Sequence, residues 1–310
     1  MPLKHWLHNA RCNFTCGIPT QQYWQIAPIL LVTCLALPAA AQQQIQILAV
    51  VNAASYQVGI PEPGALATIF CSGLTGITGI VTAPSQTPLP LQLAGVNVSV
   101  NLGATPLLAV ADLGGGYQLI NFQVPPERLL TRTSQIQITQ NGSAGVANNL
   151  DYPGVGGLFA DASGNAAAFH VADGSMVTTQ SPAHGGELIV IYGTGLGSTY
   201  PPKPIGFPVP AVPRFQGIMD YTEPATSYNL DMPAHQVTLD STVVHVSFSG
   251  LAPGYAGVDQ LIVQVPNGLA AGTHSLGLAA GVISCLPPPF AQPCTFEAHA
   301  KSNAVKIPVQ

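Results

Sequence analysis

The sequence predicts an all-β protein built from two tandem β-sandwich domains of one type. The first observation is a strand-and-turn block that occurs twice, as IFCSGLTG at residues 69–76 and as IYGTGLGS at residues 191–198. The second is that each block is followed by a similar strand, INFQVP at 120–125 and LIVQVP at 261–266. Ordered echoes at long spacing indicate a duplicated structural unit, so we expect the same sandwich twice.

The first copy consists of short apolar or alternating segments separated by turns rich in glycine, proline and asparagine. Its predicted strands cover residues 46–51, 65–70, 96–101, 107–110, 119–124 and 136–139. No segment shows the sustained 3.6-residue periodicity of a helix. About seven short strands at this spacing predict an immunoglobulin-like sandwich.

The second copy repeats the pattern and sets the expected domain boundaries. Its predicted strands cover residues 188–192, 243–248, 261–265 and 305–309. We expect a signal peptide at 1–41, a first sandwich at 42–149, a bridge at 150–182 that contains a small hairpin, and a second sandwich at 183–310. The second copy is longer than the first because of an insertion at 199–235.

The N-terminus predicts export. Lys4 and Arg11 precede an apolar run at residues 26–41, which ends in small residues that suit signal-peptidase cleavage after Ala41. A membrane anchor is the alternative, but the run is shorter than the roughly twenty residues that span a bilayer. A lipoprotein signal that ends at Cys34 is a further alternative. The expected location is therefore outside the cell or at its surface.

The charge of the chain restricts its partners. Only 7% of all residues are charged, and without Lys4 and Arg11 six basic residues remain against thirteen acidic ones. A mildly acidic chain with no basic cluster argues against nucleic acid or an anionic membrane as a partner. We expect an extracellular protein or glycan instead, with no membrane span in the mature chain.

The insertion at 199–235 is the candidate contact segment. It is rich in proline, which stiffens a loop and lowers the entropy lost on binding. Its aromatic side chains are candidate ligand contacts: Tyr200, Phe207, Phe215, Tyr221 and Tyr228. The alternative is a long connection held onto its own domain by those rings.

Three cysteines remain after the predicted signal peptide. Cys285 and Cys294 enclose a short proline-rich loop, and in an oxidising compartment they are a candidate disulfide. Cys71 occupies the position of Gly193 in the second copy. We interpret Cys71 as a small buried thiol, because no nearby histidine would activate it.

No catalytic, metal or cofactor signature occurs in the sequence. Nucleophile elbows, phosphate-binding loops and paired metal-ligand spacings are all absent. A site assembled from distant residues in the interdomain crevice stays open, with Asp161, Asp173 and His170 as its candidates. The turn at Asp161 fails the EF-hand pattern, and a weaker calcium site there also stays open.

Several ordered blocks carry a resemblance to a known family. They are VNAASY at 51–56, PGALATIF at 63–70, INFQVP at 120–125, IYGTGLG at 191–197, FSGLAPG at 248–254, and QVP at 264–266 with GLAAG at 268–272. Together they resemble the uncharacterised C-terminal domain of secreted acidobacterial (Solibacter-type) proteins. The resemblance covers residues 50–310 and implies two IPT/TIG-like sandwiches used for binding or spacing. It implies no functional residues, and the family pattern has glycine where this chain has Cys71.

The leading functional hypothesis is a secreted, non-catalytic binding, adhesion or structural module. A carbohydrate-associated module that stacks sugars on Tyr200, Tyr221 and Tyr228 is the second hypothesis. A hydrolase with an interdomain site is the third. We expect function where the two copies differ, which is at the insertion, at Cys71 and at the late cysteine loop.

Overall fold

The computed structural model describes residues 44–84, 88–126, 133–150, 156–212, 216–217, 232–284 and 295–310. Within these ranges the secondary structure is made of strands, and every strand pairing within the sheets is antiparallel. No helix in these ranges could cross a membrane. The chain is an all-β protein with two immunoglobulin-like sandwiches, as the sequence predicts.

In the part of the chain that the structure describes, the first sandwich has ten strands. They are β1 Gln46–Asn52, β2 Leu66–Ser72, β3 Ile80–Thr82, β4 Gln92–Leu93, β5 Val96–Val100, β6 Gly103–Ala104, β7 Leu107–Gly114, β8 Tyr117–Gln123, β9 Ser134–Gln140 and β10 Ser143–Leu150. One sheet has the order β1-β2-β8-β7-β3, and the other has the order β10-β9-β5-β4, with β6 on β5. Alternate side chains of β5 and β9 point into the space between the sheets, where Ile69, Ile120, Phe122, Ile136 and Ile138 are fully buried.

Twelve strands of the second sandwich lie in the described residues. They are β11 Gly157–Leu158, β12 Ala168–His170, β13 Leu188–Thr194, β14 Thr199–Tyr200, β15 Gln216–Gly217, β16 Met232–Leu239, β17 Thr242–Val243, β18 Val246–Leu251, β19 Asp259–Gln264, β20 Gly272–Ser284, β21 Thr295–Lys301 and β22 Val305–Val309. One sheet has the order β11-β13-β19-β18-β15-β14, with β12 also on β13. The other has the order β17-β16-β20-β21, with β22 on β20.

The segments that repeat in the sequence form equivalent pairs of strands at the centre of one sheet in each sandwich. Strands β2 and β8 place Ile69 opposite Ile120, and β13 and β19 place Ile191 opposite Leu261. These four residues have no exposed surface. The repeated blocks are therefore the paired central strands of two equivalent sheets.

One sequence-based detail differs from the structure, and one predicted segment can be described by its strand pairing. The predicted strand at 243–248 is interrupted, because β17 ends at Val243 and β18 begins at Val246. His245 lies in that gap, and its carbonyl oxygen accepts a hydrogen bond from Gln264 N. The segment 150–182, expected as a bridge, contributes β11 and β12, which both pair with β13 of the second sandwich.

Candidate functional site at the junction of the sandwiches

The two sandwiches share a buried apolar cluster, which we call the junction core. From the first sandwich it takes Ala54 and Leu66, and from the second it takes Phe159, Ala167, Phe169, Ala252 and Val258. Tyr192 and Tyr255 pack against it, and the ring of Tyr192 stands edge-on to Phe169 at 5.6 Å between centroids. The burial of this surface stabilises the docked arrangement of the sandwiches.

Two polar side chains, those of Thr194 and Asn52, connect the sandwiches at the edge of this core. The hydroxyl of Thr194 accepts a hydrogen bond from Leu66 N at 2.7 Å and donates one to Gly257 O at 2.6 Å. The side chain of Asn52 caps its own turn through Ala54 N and donates to Thr194 O at 3.3 Å. Both residues are fully buried, so neither is available to a ligand.

Glycines allow the backbones of the two sandwiches to approach each other here. A Cβ on Gly157 would lie 2.5 Å from Asn52 Oδ1 and 2.6 Å from Ser55 N. A Cβ on Gly257 would lie 2.5 Å from the Leu66 side chain. The contact therefore depends on the absence of a side chain at these positions.

The first part of the insertion runs along the junction. The Gln123 side chain accepts from Gly206 N at 2.7 Å and donates to Pro204 O at 3.2 Å, which fixes the loop on the first sandwich. Val209 exchanges backbone hydrogen bonds with Tyr255 and Gly254 of the second sandwich. Of the candidate contacts, Tyr200 is 76% exposed and Phe207 is 52% exposed. Phe215, Tyr221 and Tyr228 lie outside the described residues.

A buried ionic cluster lies beside this loop. The ammonium of Lys203 is 3.1 Å from Asp259 Oδ1, 3.2 Å from Asp259 Oδ2 and 3.5 Å from Glu62 Oε1. The side chains are 6%, 2% and 18% exposed for Lys203, Asp259 and Glu62. The stem of Lys203 lies against Gly64, where a Cβ would be 2.7 Å from its Cδ.

The turn at Gly195-Leu196-Gly197 donates two backbone N–H groups to the same cluster. Leu196 N donates to Asp259 Oδ2 at 2.8 Å, and Gly197 N donates to Glu62 Oε1 at 2.7 Å. Burial raises the pKa of Asp259, although the ammonium and the Leu196 N–H oppose this effect. Burial alone would lower the pKa of Lys203, but the two carboxylates outweigh it and raise that pKa.

The first sandwich contains an uncharged counterpart of this arrangement. Gln118 occupies the register position of Asp259, and its Oε1 accepts from Leu74 N at 3.4 Å, as Asp259 accepts from Leu196 N. The second copy thus replaces an amide by a carboxylate, and the insertion adds Lys203 beside it. This difference could have been seen in the sequence only by aligning the two copies strand by strand.

A second polar cluster joins a serine, a histidine and a glutamate at the start of β13. His170 Nδ1 contacts Glu187 Oε1, while Nε2 lies 3.1 Å from the carbonyl oxygen of Ser181 and 3.3 Å from its hydroxyl. A carboxylate and a carbonyl can only accept, so both ring nitrogens carry protons. Burial lowers the pKa of His170, but the hydrogen bond and charge of Glu187 outweigh it and raise the pKa overall. The imidazolium form donates to both partners and cannot take a proton from Ser181, so in this form the cluster links β12, Ser181 and Glu187 and has a structural role.

The other candidates for an interdomain hydrolytic site, Asp161 and Asp173, accept hydrogen bonds from the backbone of the turns in which they lie. Asp161 Oδ1 accepts from Ser163 N and Asn165 N, and Asp173 Oδ1 accepts from Ser175 N. Both aspartates are exposed, whereas His170 is buried and pairs with Glu187. In the described part of the chain, no cluster of three or more histidine, cysteine or acidic residues could hold a metal ion.

Of the cysteines singled out above, Cys71 is described and has no exposed surface. Its thiol belongs to the core of the first sandwich, and burial raises its pKa to about 12. The equivalent Gly193 could not be a cysteine, because a Cβ there would lie 2.5 Å from Gly157 O. Cys285 and Cys294, the candidate disulfide, lie outside the described residues.

Comparisons with known proteins give fold-level likeness alone. No family model and no curated protein matches the chain. Matching solved structures include tandem Ig repeats of Dlar, at 13% identity and a TM-score of 0.19 over 80% of this chain and 91% of that one. A tandem of domains from titin matches at 7% identity, with a TM-score of 0.20 over 86% of this chain and 65% of that one. A putative membrane anchored protein from Corynebacterium diphtheriae matches at 11% identity, with a TM-score of 0.21 over 86% of this chain and 59% of that one. At such TM-scores these likenesses carry no argument, and the fold assignment rests on the sheets and registers of the chain itself.

Proposed function

We propose that this chain is a secreted, non-catalytic module that holds two immunoglobulin-like sandwiches as one rigid unit at the cell surface, for binding or spacing. The observation that carries the proposal is the junction. There polar side chains and glycines, among them Asn52, Thr194 and Gly157, are used to fix one sandwich on the other. Groups used in this way position domains and are not available for chemistry.

The export part of the proposal rests on the sequence. The apolar run at 26–41 and its small-residue end support a signal peptide cleaved after Ala41. The resemblance to the domain of secreted acidobacterial proteins supports the same location. N-terminal sequencing of the chain recovered from the medium or the envelope tests this part, and a chain that retains residues 1–41 would contradict it.

The exposed rings of the insertion are the proposed contact surface. Tyr200 and Phe207 project from a loop that Gln123 and the Gly254–Tyr255 turn hold in place. Because the loop is fixed before binding, little conformational entropy is lost when a partner covers the rings. The proposed partner is an extracellular protein.

Binding to immobilised chain tests this surface. Tyr200→Ala and Phe207→Ala are expected to weaken capture of a partner from extracellular extracts by about tenfold or more, since buried aromatic anchors dominate interfaces. Val212→Ala is the matched control, because Val212 is 83% exposed beyond Phe207 but carries no ring. Equal capture by all four proteins would contradict a contact role for the rings.

A carbohydrate ligand is the second candidate, and the exposure of Tyr200 favours it. A ring that is 76% exposed on a stiff loop can stack on the apolar face of a sugar. A glycan array distinguishes the two: retained neutral oligosaccharides, lost with Tyr200→Ala, support this candidate. An array on which the chain binds no glycan would contradict the carbohydrate candidate.

The non-catalytic part is tested separately with ester, peptide and glycoside substrates. We expect no turnover by the purified chain. Turnover that a folded Ser181→Ala or Asp173→Asn variant abolishes would contradict it.

A further inference from the structure

We propose that Lys203 and Asp259 condense to form an intramolecular isopeptide bond, with Glu62 as the proton carrier. The bond would join Lys203 Nζ to the side-chain carboxyl carbon of Asp259. It is a covalent modification of the chain by itself, and it goes beyond the proposed binding or spacing function.

The geometry places the reacting groups in contact. Lys203 Nζ lies 3.1 and 3.2 Å from the two oxygens of Asp259, so the nitrogen is within hydrogen-bond distance of both oxygens of the carboxyl group that it would attack. Both side chains are held: the lysine stem by its contact with Gly64, and the aspartate by Leu196 N at 2.8 Å. Fixing two reactants in this way raises their effective concentration enormously, because no translational entropy remains to be lost.

The surroundings favour condensation over an ordinary ion pair. The side chains of Asp259 and Lys203 are 2% and 6% exposed, so bulk water cannot reach the carboxyl group to reverse the reaction. An ion pair in so dry a place carries a large desolvation cost that a neutral amide does not carry. Burial also raises the pKa of Asp259, which favours the protonated carboxyl that an amine can attack. The carboxylates raise the pKa of Lys203, so the ammonium must pass its proton to a neighbouring base before attack.

Glu62 completes the reaction. Its Oε1 lies 3.5 Å from Lys203 Nζ, and its side chain is 18% exposed, so it contacts both the amine and the solvent. Glu62 accepts one proton from the ammonium, and the free amine attacks the carboxyl carbon of protonated Asp259. The Leu196 N–H, already bonded to Asp259 Oδ2, stabilises the negative oxygen of the tetrahedral intermediate.

The products balance with the reactants. The carbon–hydroxyl bond of Asp259 breaks, and the hydroxyl takes the proton from Glu62 and leaves as water. The nitrogen then loses a second proton, which passes to solvent through Glu62. This proton balances the one that Asp259 had taken up before the attack. The net change is an ammonium and a carboxylate giving one amide and one water, with no oxidant or cofactor.

The two reacting side chains occur in the second copy of the repeat and have no equivalent in the first. The position of Asp259 holds Gln118 in the first sandwich, and Lys203 belongs to the insertion that the first sandwich lacks. Glu62 belongs to the first sandwich, whereas Lys203 and Asp259 belong to the second. The bond would therefore form only after the sandwiches dock, and it would tie the β14–β15 loop to β19 across 56 residues.

Mass spectrometry of the denatured full chain tests the proposal. We expect the purified protein to be lighter than its sequence by the mass of one water, and a digest to contain one branched peptide that carries both Lys203 and Asp259. Lys203→Met and Glu62→Gln are expected to keep the full sequence mass with the same N-terminus. Asp259→Asn, if it reacts, is expected to lose ammonia instead of water.

Two results would overturn the proposal. One is a wild-type chain of full sequence mass whose peptides with Lys203 and Asp259 are separate. The other is a loss of water that persists in Lys203→Met. Electrophoresis after denaturation adds a readout that does not depend on variant folding, because the closed loop makes wild type migrate differently from Lys203→Met.

Discussion

The hydroxyl of Thr194 connects the sandwiches because it both accepts and donates a hydrogen bond. It accepts from Leu66 N and donates to Gly257 O, and all three groups are buried. Thr194→Val keeps the shape of the side chain but leaves a backbone N–H and a carbonyl without partners. We expect the free energy of unfolding to fall by about 2 to 4 kcal/mol, measured by urea unfolding. Thr242→Val, at an exposed position of β17, is the control and should change it little. Equal effects of the two changes would show that the junction bonds contribute nothing.

His170 and Glu187 predict a pH-dependent contribution to stability. The folded pKa of His170 is raised above 6.5, so the stabilisation is fully present below pH 6.5 and is lost as the pH rises through the folded pKa. Glu187→Gln is therefore expected to lower the free energy of unfolding by about 1 to 2 kcal/mol in acid, and by less at alkaline pH.

The control for this measurement is Glu297→Gln, which removes an exposed carboxylate from β21. The second histidine–carboxylate pair, His274 with Asp240, titrates in the same direction and is present in every variant, so its contribution cancels. A difference between Glu187→Gln and wild type that does not change with pH would contradict a charged His170.

Most individual residues at the junction could not be predicted from the sequence. Asn52 and Thr194 lie 142 residues apart, and the local partners of Asn52, which are Ala54 N and Ser55 N, do not indicate the contact. One available signal was Lys203, a charged residue in a proline-rich segment. Charges in such a setting are paired when they are buried, but the sequence does not say with which carboxylates.

At the scale of elements, the central strands follow from the sequence and the edge elements do not. The echo locates β2, β8, β13 and β19, because equivalent buried apolar residues pair at the centre of each sheet and recur in the same order along the chain. The strand β20, thirteen residues long, was not predicted. Its sequence is rich in glycine and alanine, which have low strand propensity. The strand is stabilised instead by its pairing with β16, β21 and β22.

The short strand β11 shows how a glycine fixes the position of an element. A Cβ on Gly157 would lie 2.5 Å from Asn52 Oδ1, so Gly157→Ala must push β11 away from the first sandwich. We expect a loss of about 1 to 3 kcal/mol in the free energy of unfolding, as for an overpacked core.

Gly277→Ala is the matched control for this change. Gly277 lies within β20, where the nearest atom to an added Cβ is Thr238 Oγ1 at 3.8 Å. Alanine there should be neutral or slightly stabilising, because it has less freedom to lose on folding. If both alanine variants behave alike, close packing at β11 does not hold the junction.

At the scale of the whole molecule, short motifs that stood out in the sequence also hold the two sandwiches together. VNAASY supplies Asn52 and Ala54, PGALATIF supplies Gly64 and Leu66, and the second turn supplies Thr194. The sequence predicted two sandwiches in tandem, but not that they pack on each other. Relative placement depends on contacts between residues far apart in sequence, and periodicity carries no information about such contacts.

The central claim is that the two sandwiches form one cooperative unit, and calorimetric unfolding of the full chain tests it most directly. A junction core, the Thr194 bridge and the buried ionic cluster together should prevent one sandwich from unfolding while the other stays folded. The account predicts one thermal transition whose calorimetric and van't Hoff enthalpies agree. Two separate transitions, or a calorimetric enthalpy about twice the van't Hoff value, would contradict it.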